Sequence, residues 1–321
     1  MKFEDPVYGE KTVESELLKE LIRSGPVQRL KEVHQMGPQP LFDDGKPQLT
    51  RFQHTLGVML LLREFDASIE EQVAGLLHDV PHTAFSHVAD FVFQNSDHEY
   101  HDSFLEDVVM DSEIPGIIEK HGLEVDYILD EDNFPLLERE APDLCADRID
   151  YFLRDVRKYT GEMVRHLFEG LEVVDGKFVI SKKGISEEYA LRYIQADEEI
   201  WANPREAAFM EVFAQALRRA LEIGLIEEDD FFGTDREVLG VLESSGDDVI
   251  EEKLDTLKGG FEVERDPENY DIEVKTKGRY VDPQVAGEGM KRISELSGEV
   301  ARRIEQHMDD VESGYRLRIV G

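Results

Sequence analysis

The chain has 321 residues, 40% of them hydrophobic, which is enough for one large or two modest packed domains. No apolar run approaches the roughly 20 residues that cross a bilayer, and the acidic start Met1–Asp5 lacks the apolar stretch of a signal peptide, so we expect a cytoplasmic protein without membrane contact. Its 72 Asp and Glu against 36 Lys and Arg give a formal net charge of −36, which disfavours strong binding to nucleic acid, and its single cysteine excludes an internal disulfide and a Cys-based metal cage.

The first strong helix signals lie in the N-terminal part of the chain. Apolar side chains at helical spacing over residues 17–22 predict one short helix. Thr50 and Gln53 fit a capping box that opens a second helix over about 51–65. This second segment is apolar nearly all round, and we therefore expect it to be buried.

Two further helices follow before the middle of the chain. Ser68 and Glu71 fit another capping box, and the helix that they open is expected to run until Pro81 stops it. A helix over about 142–158, with proline in its first turn, is the next prediction. Cys145 lies near its start and is interpreted as a buried, inert thiol rather than a nucleophile, since nothing nearby clearly lowers its pKa.

The second half of the chain mixes helices with short strands. Alternating apolar residues on either side of Asp175–Gly176 predict a β-hairpin over 171–181. The other expected elements are helices at about 186–225 and 235–258, strand-like residues at 261–282 and a final amphipathic helix at about 284–311. The chain is thus predicted to be mainly α, a helical core over residues 1–170 followed by a helical extension with small β elements over 171–321.

Four side chains of metal-ligand type fall on these predicted helices: His54, the adjacent pair His78 and Asp79, and Asp147. Imidazole and carboxylate together suit a divalent ion such as Fe, Mn, Zn, Ni or Mg. A single histidine in such a place is more often a hydrogen-bonded core residue. His54, however, lies in the apolar segment 51–65, where its ring nitrogens need partners, and a metal ion would provide one.

Three segments surround these candidate ligands: 51–58 (RFQHTLGV), 74–87 (AGLLHDVPHTAFSH) and 147–155 (DRIDYFLRD). In their order, a lone His, then His-Asp, then a distal Asp, they resemble the HD superfamily of phosphohydrolases. Two more segments, 27–37 and 234–239, are similar to the branch of deoxynucleoside triphosphate triphosphohydrolases related to the SAM-and-HD-domain enzyme. The resemblance covers about residues 20–260. It implies an HD-domain helical bundle, a nucleotide substrate and a homo-oligomer.

The resemblance also implies roles for individual residues. His54, His78, Asp79 and Asp147 would bind the catalytic metal, and a second Mg or Mn ion could accompany the phosphates. Arg51 would contact phosphate, a task suited to a forked cation. The other implied positions are His82 and His87 along the triphosphate, with His82 assisting the chemistry; His98 or its rival His101 as the acid for the leaving group; Gln35, Tyr151 and Asp155 at the sugar; and Met36 where a ribose 2′-hydroxyl is excluded.

Some of these positions have a plain structural alternative. Tyr151 and Asp155 share one helix face with Asp147, as residues of an ordinary surface helix also do. Trp201 can stack on a base or can be a core aromatic residue. The match to the family weakens at Pro81, where a glycine is usual, and at 200–204, which lacks the tyrosine and histidine that related enzymes place beside the sugar and base.

Three functional hypotheses follow. The leading one is hydrolysis of a deoxynucleoside triphosphate to the deoxynucleoside and inorganic triphosphate. The alternative is a nucleoside monophosphate phosphatase or a phosphodiesterase of the same superfamily, because the same ligands serve those reactions. A non-catalytic nucleotide-binding protein is the third. The acidic excess is spread along the whole chain, which predicts adaptation to high salt and a halophilic archaeal source.

Overall fold

The structure is a computed structural model that describes residues 1–93, 100–161, 163–258 and 260–320. Within these residues it contains seventeen α-helices and nine short strands, which confirms the predicted mainly α architecture. The elements of the first half are β1 (Lys2–Asp5), β2 (Gly9–Thr12), α1 (Glu16–Ile22), α2 (Gly25–Arg29), α3 (Gln39–Phe42), α4 (Arg51–Glu64), α5 (Ile69–Leu77), α6 (Val88–Val92), α7 (Leu105–Met110), α8 (Ile114–Lys120), α9 (Val125–Leu129) and α10 (Ala146–Tyr159).

The second half contains shorter helices between small strands. Its elements are α11 (Arg165–Glu169), β3 (Leu171–Val174), β4 (Lys177–Ile180), α12 (Lys183–Ala196), α13 (Pro204–Glu222), α14 (Asp235–Glu243), α15 (Asp248–Lys258), β5 (Val263–Arg265), β6 (Ile272–Val274), β7 (Gln284–Val285), β8 (Lys291–Arg292), α16 (Ile293–Leu296), α17 (Gly298–Glu312) and β9 (Tyr315–Ile319). None of the helices in the described residues is long and apolar enough to cross a membrane.

Helix α4 is the centre of the fold and is buried on nearly all sides, as its sequence predicts. It packs between α5 and α10. At its start the Gln53 side chain accepts a hydrogen bond from the Thr50 amide at 3.1 Å. The capping box expected at Ser68 forms only in part. Ser68 caps α5, but the Glu71 carboxylate accepts instead from the amides of Leu136 and Leu137, because it is buried beside that segment.

Three predicted helix boundaries were wrong. Helix α10 begins at Ala146 rather than near Pro142, because the Ala146 amide is bound to the Leu136 carbonyl and Cys145 is the N-cap. The helix expected over 186–225 is interrupted by a π-helical turn, Asp197–Trp201, and resumes at Pro204, whose missing amide hydrogen suits a first helical position. The final helix, which was expected from about residue 284, begins only at Gly298.

Residues 284–285 and 291–292, which were expected to be helical, are strands instead. They belong to a four-stranded sheet of order β3-β4-β7-β8, in which β4 and β7 pair in parallel and the β3–β4 hairpin is the predicted one. A second sheet, of order β5-β9-β6, has the C-terminal strand at its centre. The C-terminal part of the chain therefore packs back onto earlier elements through backbone pairing, which depends on residues far away in sequence.

Most buried apolar side chains belong to two clusters. The first joins the N-terminal helices with α4, α5, α10 and α12. The second joins residues 84–92 with α13, α14, α15 and the β5-β9-β6 sheet. The segment that follows α5 thus passes from one cluster to the other, and the candidate metal ligands His78 and Asp79 lie where this passage begins.

Candidate active site

The four predicted metal ligands converge between α4, the end of α5 and the first turn of α10. His54 Nε2 lies 2.9 Å from Asp147 Oδ1 and 3.8 Å from Asp79 Oδ2. His78 Nε2 lies 3.5 Å from Asp79 Oδ1 and 3.6 Å from Asp147 Oδ1. His54, His78 and Asp79 offer ligand atoms that all lie within 4.8 Å of one another, a spacing that suits a single divalent ion. Asp147 lies beside this group through its contacts with both histidines.

The hydrogen bonds of the two histidines also fit a metal site. Nε2 of His78 is buried and has no hydrogen-bond partner among the described residues, whereas its Nδ1 lies 2.9 Å from the Gly75 carbonyl. Nδ1 of His54 lies 2.8 Å from Asp150 Oδ2. A carboxylate or carbonyl at Nδ1 holds that nitrogen protonated and leaves the Nε2 lone pair for an ion.

Asp150 is held in turn by a buried network that the sequence did not reveal. Its carboxylate accepts from Arg154 at 2.8 and 2.9 Å and from the Tyr8 hydroxyl at 2.8 Å. Helix α4 carries Gly57 against this network. A Cβ at Gly57 would lie 2.0 Å from Arg154 Nη2 and 2.2 Å from Asp150 Oδ1, so only glycine lets α10 approach closely enough for Asp150 to reach His54.

The charge states of this cluster depend on its mixed composition. Burial disfavours the charged form of His54, but hydrogen bonds to Asp147 and Asp150 outweigh burial and raise its pKa to about 10. Burial likewise opposes the charge on His78, yet Asp79 and Asp147 raise its pKa to about 9. Without an ion the imidazolium groups therefore balance the carboxylates, and binding of a metal ion would release these protons.

Arg51 lines the cavity, but its donors are directed to the protein. Nε donates to Ser86 Oγ at 2.9 Å, Nη1 to Asp79 Oδ2 at 3.1 Å and Nη2 to the Gln35 carbonyl at 3.3 Å. Burial opposes the ionised form of Asp79, but the guanidinium of Arg51 and the imidazolium of His78 together lower the pKa of Asp79. The contact of Arg51 to phosphate stays a prediction. The structure adds a second role for Arg51, which is to keep Asp79 ionised.

The loop after Asp79 is shaped by Asp235, a fully buried carboxylate at the start of α14. Its oxygens accept from the amides of His34 at 2.9 Å and Phe85 at 2.6 Å. Phe85 and Ser86 both have positive φ, 60° and 53°, so this loop has an unusual backbone that needs such support. Ser86 then donates to the His34 carbonyl while it accepts from Arg51.

Several predicted histidines stand beside the metal ligands. His82 Nε2 lies 3.3 Å from Asp79 Oδ1, and the rings of His82 and His101 are stacked with centroids 3.5 Å apart. Burial and then the charge of Arg51 lower the pKa of His82, and burial lowers that of His87 to about 4 although Asp90 opposes it. Both rings are therefore neutral at pH 7 and suit hydrogen bonding. His98, the other candidate acid, lies outside the described residues.

A cavity of about 710 Å³ opens from the metal ligands. The predicted substrate residues that line it are Gln35, Met36, Arg51, His82, His87, His101, Tyr151, Asp155 and Trp201. The indole of Trp201 donates to Asp155 Oδ2 at 2.8 Å and packs edge-on against Tyr151. Trp201 is thus both a packed aromatic residue and part of the cavity wall. Oδ1 of Asp155 and Oε1 of Gln35 are buried acceptors with no partner in the described part of the chain.

Two features of the cavity were missed from the sequence. The first is the pair Glu138 and Arg148, which line the cavity beside Asp147, with Arg148 Nη2 at 3.2 Å from the Glu138 carboxylate. The second feature is residues 276–280, which line the cavity although they lie beyond the segments that resemble a family. Arg148 lies within the segment 147–155 and could have been found from the sequence, whereas no local signal marks 276–280. The Cys145 thiol is buried and its pKa is raised, first by burial, which agrees with an inert thiol.

A model of the HD domain matches residues 51–202, which include all four convergent ligands. The chain is 36% identical to the uncharacterised protein YdhJ of Bacillus subtilis, over 100% of this chain and 99% of YdhJ. It is 30% identical to the metal-dependent phosphohydrolase cns2 of Cordyceps militaris, over 91% of this chain and 87% of cns2. The chain belongs to the HD-domain family of metal-dependent phosphohydrolases.

Two solved structures share the HD-domain fold found here. A hypothetical protein from Aquifex aeolicus superimposes with a TM-score of 0.68 at 23% identity, covering 94% of this chain and 93% of that one. A phosphohydrolase from Bacteroides thetaiotaomicron gives a TM-score of 0.66 at 20% identity, covering 92% and 94% of the two chains. At these identities the likeness shows the fold alone.

Proposed function

We propose that this HD-domain protein hydrolyses deoxynucleoside triphosphates to the deoxynucleoside and inorganic triphosphate. The observation that carries the proposal is the pair of buried acceptors without partners, Gln35 Oε1 and Asp155 Oδ1, in the same cavity as the metal ligands. Acceptors of this kind suit the hydroxyl groups of a sugar. The cavity of about 710 Å³ lies within the range that small-molecule ligands occupy.

Each group of residues in the cavity would have a separate role in the reaction. His54, His78, Asp79 and Asp147 would hold the ion, and a bound divalent ion supplies Lewis-acid polarisation of the phosphate and activation of water. Arg51 keeps Asp79 ionised from its place beside the ligands. His82 would lie along the phosphate chain, and His87 beside it, where Nε2 of His87 accepts from Arg51 and its Nδ1 donates to Asp90. His101, or His98, protonates the sugar oxygen as it leaves.

Product identification tests this proposal. The metal-loaded protein is incubated with each deoxynucleoside triphosphate in high salt with added Mn or Mg, and the products are separated by ion chromatography. We expect inorganic triphosphate and the deoxynucleoside in equal amounts. Orthophosphate or pyrophosphate without triphosphate would contradict the proposal, because attack would then have occurred elsewhere on the phosphate chain.

A second candidate is a nucleoside monophosphate phosphatase or a phosphodiesterase. The observation that favours it is a second group of possible ligands, Asp79, His82 and His101, which shares Asp79 with the first. Two neighbouring ions joined through one carboxylate are typical of phosphatases and nucleases. Elemental analysis of the substrate-free protein, together with a nucleotide panel, separates the candidates. Two ions per chain, with faster turnover of a monophosphate or a cyclic nucleotide, would favour this alternative.

The non-catalytic alternative is tested by His78→Ala. We expect this variant to lose the bound ion and all turnover together, because His78 Nε2 lies 3.5 and 3.6 Å from the two ligand carboxylates and would bind the ion with them. His166→Ala is the matched control, since His166 is exposed and pairs with Glu188 on the surface. Turnover that survived in His78→Ala would contradict the assignment of His78, and turnover absent from the wild type would favour a nucleotide-binding protein.

A further inference from the structure

The segment that connects β6 to β7 forms part of the cavity wall. Its residues 276–280 line the cavity together with residues of the HD motifs. The segment is fixed to the fold by Asp197, which is fully buried in the π-helical turn. Asp197 Oδ2 accepts from the Arg279 amide at 2.9 Å and also lies 2.9 Å from Nε2 of His307, a buried residue of α17. This anchor fixes where Arg279 enters the cavity.

The guanidinium of Arg279 has an open edge. Nη1 donates to the Lys277 carbonyl at 3.3 Å and lies 3.6 Å from Asp197 Oδ1. Nε and Nη2 make no hydrogen bond to any described residue, and these two donors form one edge of the planar group. The other cavity-lining arginines differ, since Arg51, Arg139 and Arg148 each direct Nε or Nη2 to a protein acceptor.

Arg279 also shares the cavity with the predicted substrate residues. Burial raises the pKa of the Tyr151 phenol, and the nearby charges of Arg148 and Arg279 oppose that rise. The Tyr151 ring is 6.4 Å from the ring of the metal ligand His54, and its hydroxyl is hydrogen-bonded to that of Tyr193. Arg279 therefore lines the same cavity as the metal ligands, with its charge close to Tyr151.

We propose that the open Nε–Nη2 edge of Arg279 binds a phosphate of the substrate other than the one attacked, so that the β6–β7 connection selects nucleotides with a phosphate chain over monophosphates. The inference rests on the proposed function, because it assumes that a nucleotide occupies this cavity. Two parallel donors on a permanently charged group match the geometry of a phosphate. The Asp197 pair neutralises Arg279 only through Nη1, which leaves the opposite edge for a ligand.

Binding of inorganic tripolyphosphate, the probe that carries no sugar, tests the inference directly. The metal-loaded full-length protein is titrated calorimetrically, and the wild type is compared with Arg279→Gln and Arg279→Lys. We expect Arg279→Gln to weaken binding on the order of 10- to 100-fold, as loss of a charged hydrogen-bond pair does. Arg279→Lys keeps the charge and the pairing with Asp197 but loses the fork, so a smaller weakening is expected.

Arg303→Gln is the matched control. Arg303 lies on α17, pairs with Glu198 next to Asp197 and does not line the cavity, so the same change of charge there should leave binding unchanged. Thermal unfolding checks that each variant is folded. If folded Arg279→Gln and Arg279→Lys bind tripolyphosphate as tightly as the wild type, Arg279 only fixes the segment and the inference is overturned.

Steady-state kinetics separate this inference from the proposed function. For a deoxynucleoside triphosphate, Arg279→Gln should raise KM much more than it lowers kcat, while KM for a monophosphate should stay unchanged. Release of triphosphate by the wild type, with tripolyphosphate binding unaffected by Arg279→Gln, would overturn the subsite alone. Weakened tripolyphosphate binding in a protein that releases no triphosphate would support the subsite and overturn the proposed reaction.

Discussion

Asp155 combines two properties that are unusual in one side chain. It is 1% exposed, and among the described residues only one of its oxygens has a partner, the Trp201 indole. Burial raises its pKa to about 6, although the hydrogen bond from Trp201 opposes that rise. A buried carboxylate with an unpaired oxygen lowers the free energy of unfolding, and it offers a strong hydrogen-bond acceptor to a ligand. We interpret Asp155 as a residue that is retained for binding rather than for folding.

This interpretation predicts the behaviour of Asp155→Asn. The pKa of Asp155 is higher in the folded protein than in the unfolded chain, so folding stability falls as pH rises from about 4 to about 6 and the full penalty is present above pH 6. A rise of about two units corresponds to about 3 kcal/mol at most. The variant should unfold at higher temperature than the wild type at pH 7, with no difference at pH 4.

The same variant should bind substrate more weakly, because a neutral amide is a poorer acceptor than a carboxylate. In the wild type KM should rise as pH falls through about 6, the pKa of Asp155, and this dependence should be absent from the variant. Asp126→Asn, on the exposed face of α9, is the control for the change of charge. Equal pH profiles of KM in wild type and Asp155→Asn would contradict the binding role.

At the scale of elements, the cavity depends on how α14 supports the loop after α5. Asp235 at the start of α14 accepts hydrogen bonds from two segments that are remote in sequence, at His34 and Phe85. Ser86, the next residue of the loop, then places the Arg51 guanidinium against Asp79. A helix that contributes no metal ligand thus controls the position of a charge beside the ligands.

Asp235→Asn should therefore reduce activity without removing the ion. An amide can accept with only one end, so one of the two backbone amides would face an NH2 group, and we expect a loss of about 1 to 3 kcal/mol in the free energy of unfolding. The displaced loop should lower kcat by about tenfold or more, while elemental analysis shows the ion retained.

Asp266→Asn is the matched control for Asp235→Asn, since Asp266 also accepts from two backbone amides but lies in an exposed turn. A purely structural role of Asp235 would lower the unfolding temperature and leave kcat of the folded enzyme intact. That result would show that Asp235 does not position the Arg51 guanidinium for catalysis.

At the scale of the whole molecule, charge is the dominant feature. The formal net charge of −36 is spread along the chain, and many of the acidic side chains lie on exposed faces, as on α15 and α17. Like charges at this density repel one another and destabilise the compact state, and this repulsion is screened over a distance that falls from about 10 Å at 0.1 M salt to about 3 Å at 1 M.

We therefore expect the unfolding temperature to rise by several degrees or more between 0.1 and 1 M KCl. Sucrose at the same osmolarity is the control, because it stabilises through exclusion from the surface and does not screen charge. Most of the gain should come below 0.5 M, where the screening length changes fastest. An unfolding temperature independent of KCl would contradict adaptation to high salt.

The sequence by itself determined the features that depend on neighbours along the chain. The apolar pattern of 51–64, its Thr50 start and the hairpin around Asp175–Gly176 were predicted because caps, turns and helical periodicity are local. The chemical types of the metal ligands could also be read, since imidazole and carboxylate keep their affinity for divalent ions in any fold. Their order along the chain was enough to indicate the family.

Only the tertiary structure decided the features that join distant residues. Tyr8 reaches Asp150 across 142 positions, Asp235 supports His34 across 201, and Glu71 leaves its predicted cap for Leu136, 65 positions away. Residues 276–280 enter the cavity because Asp197 anchors Arg279 across 82 positions. None of these contacts has a local signal, since each exists only because packing brings a buried polar group to the partner that satisfies it.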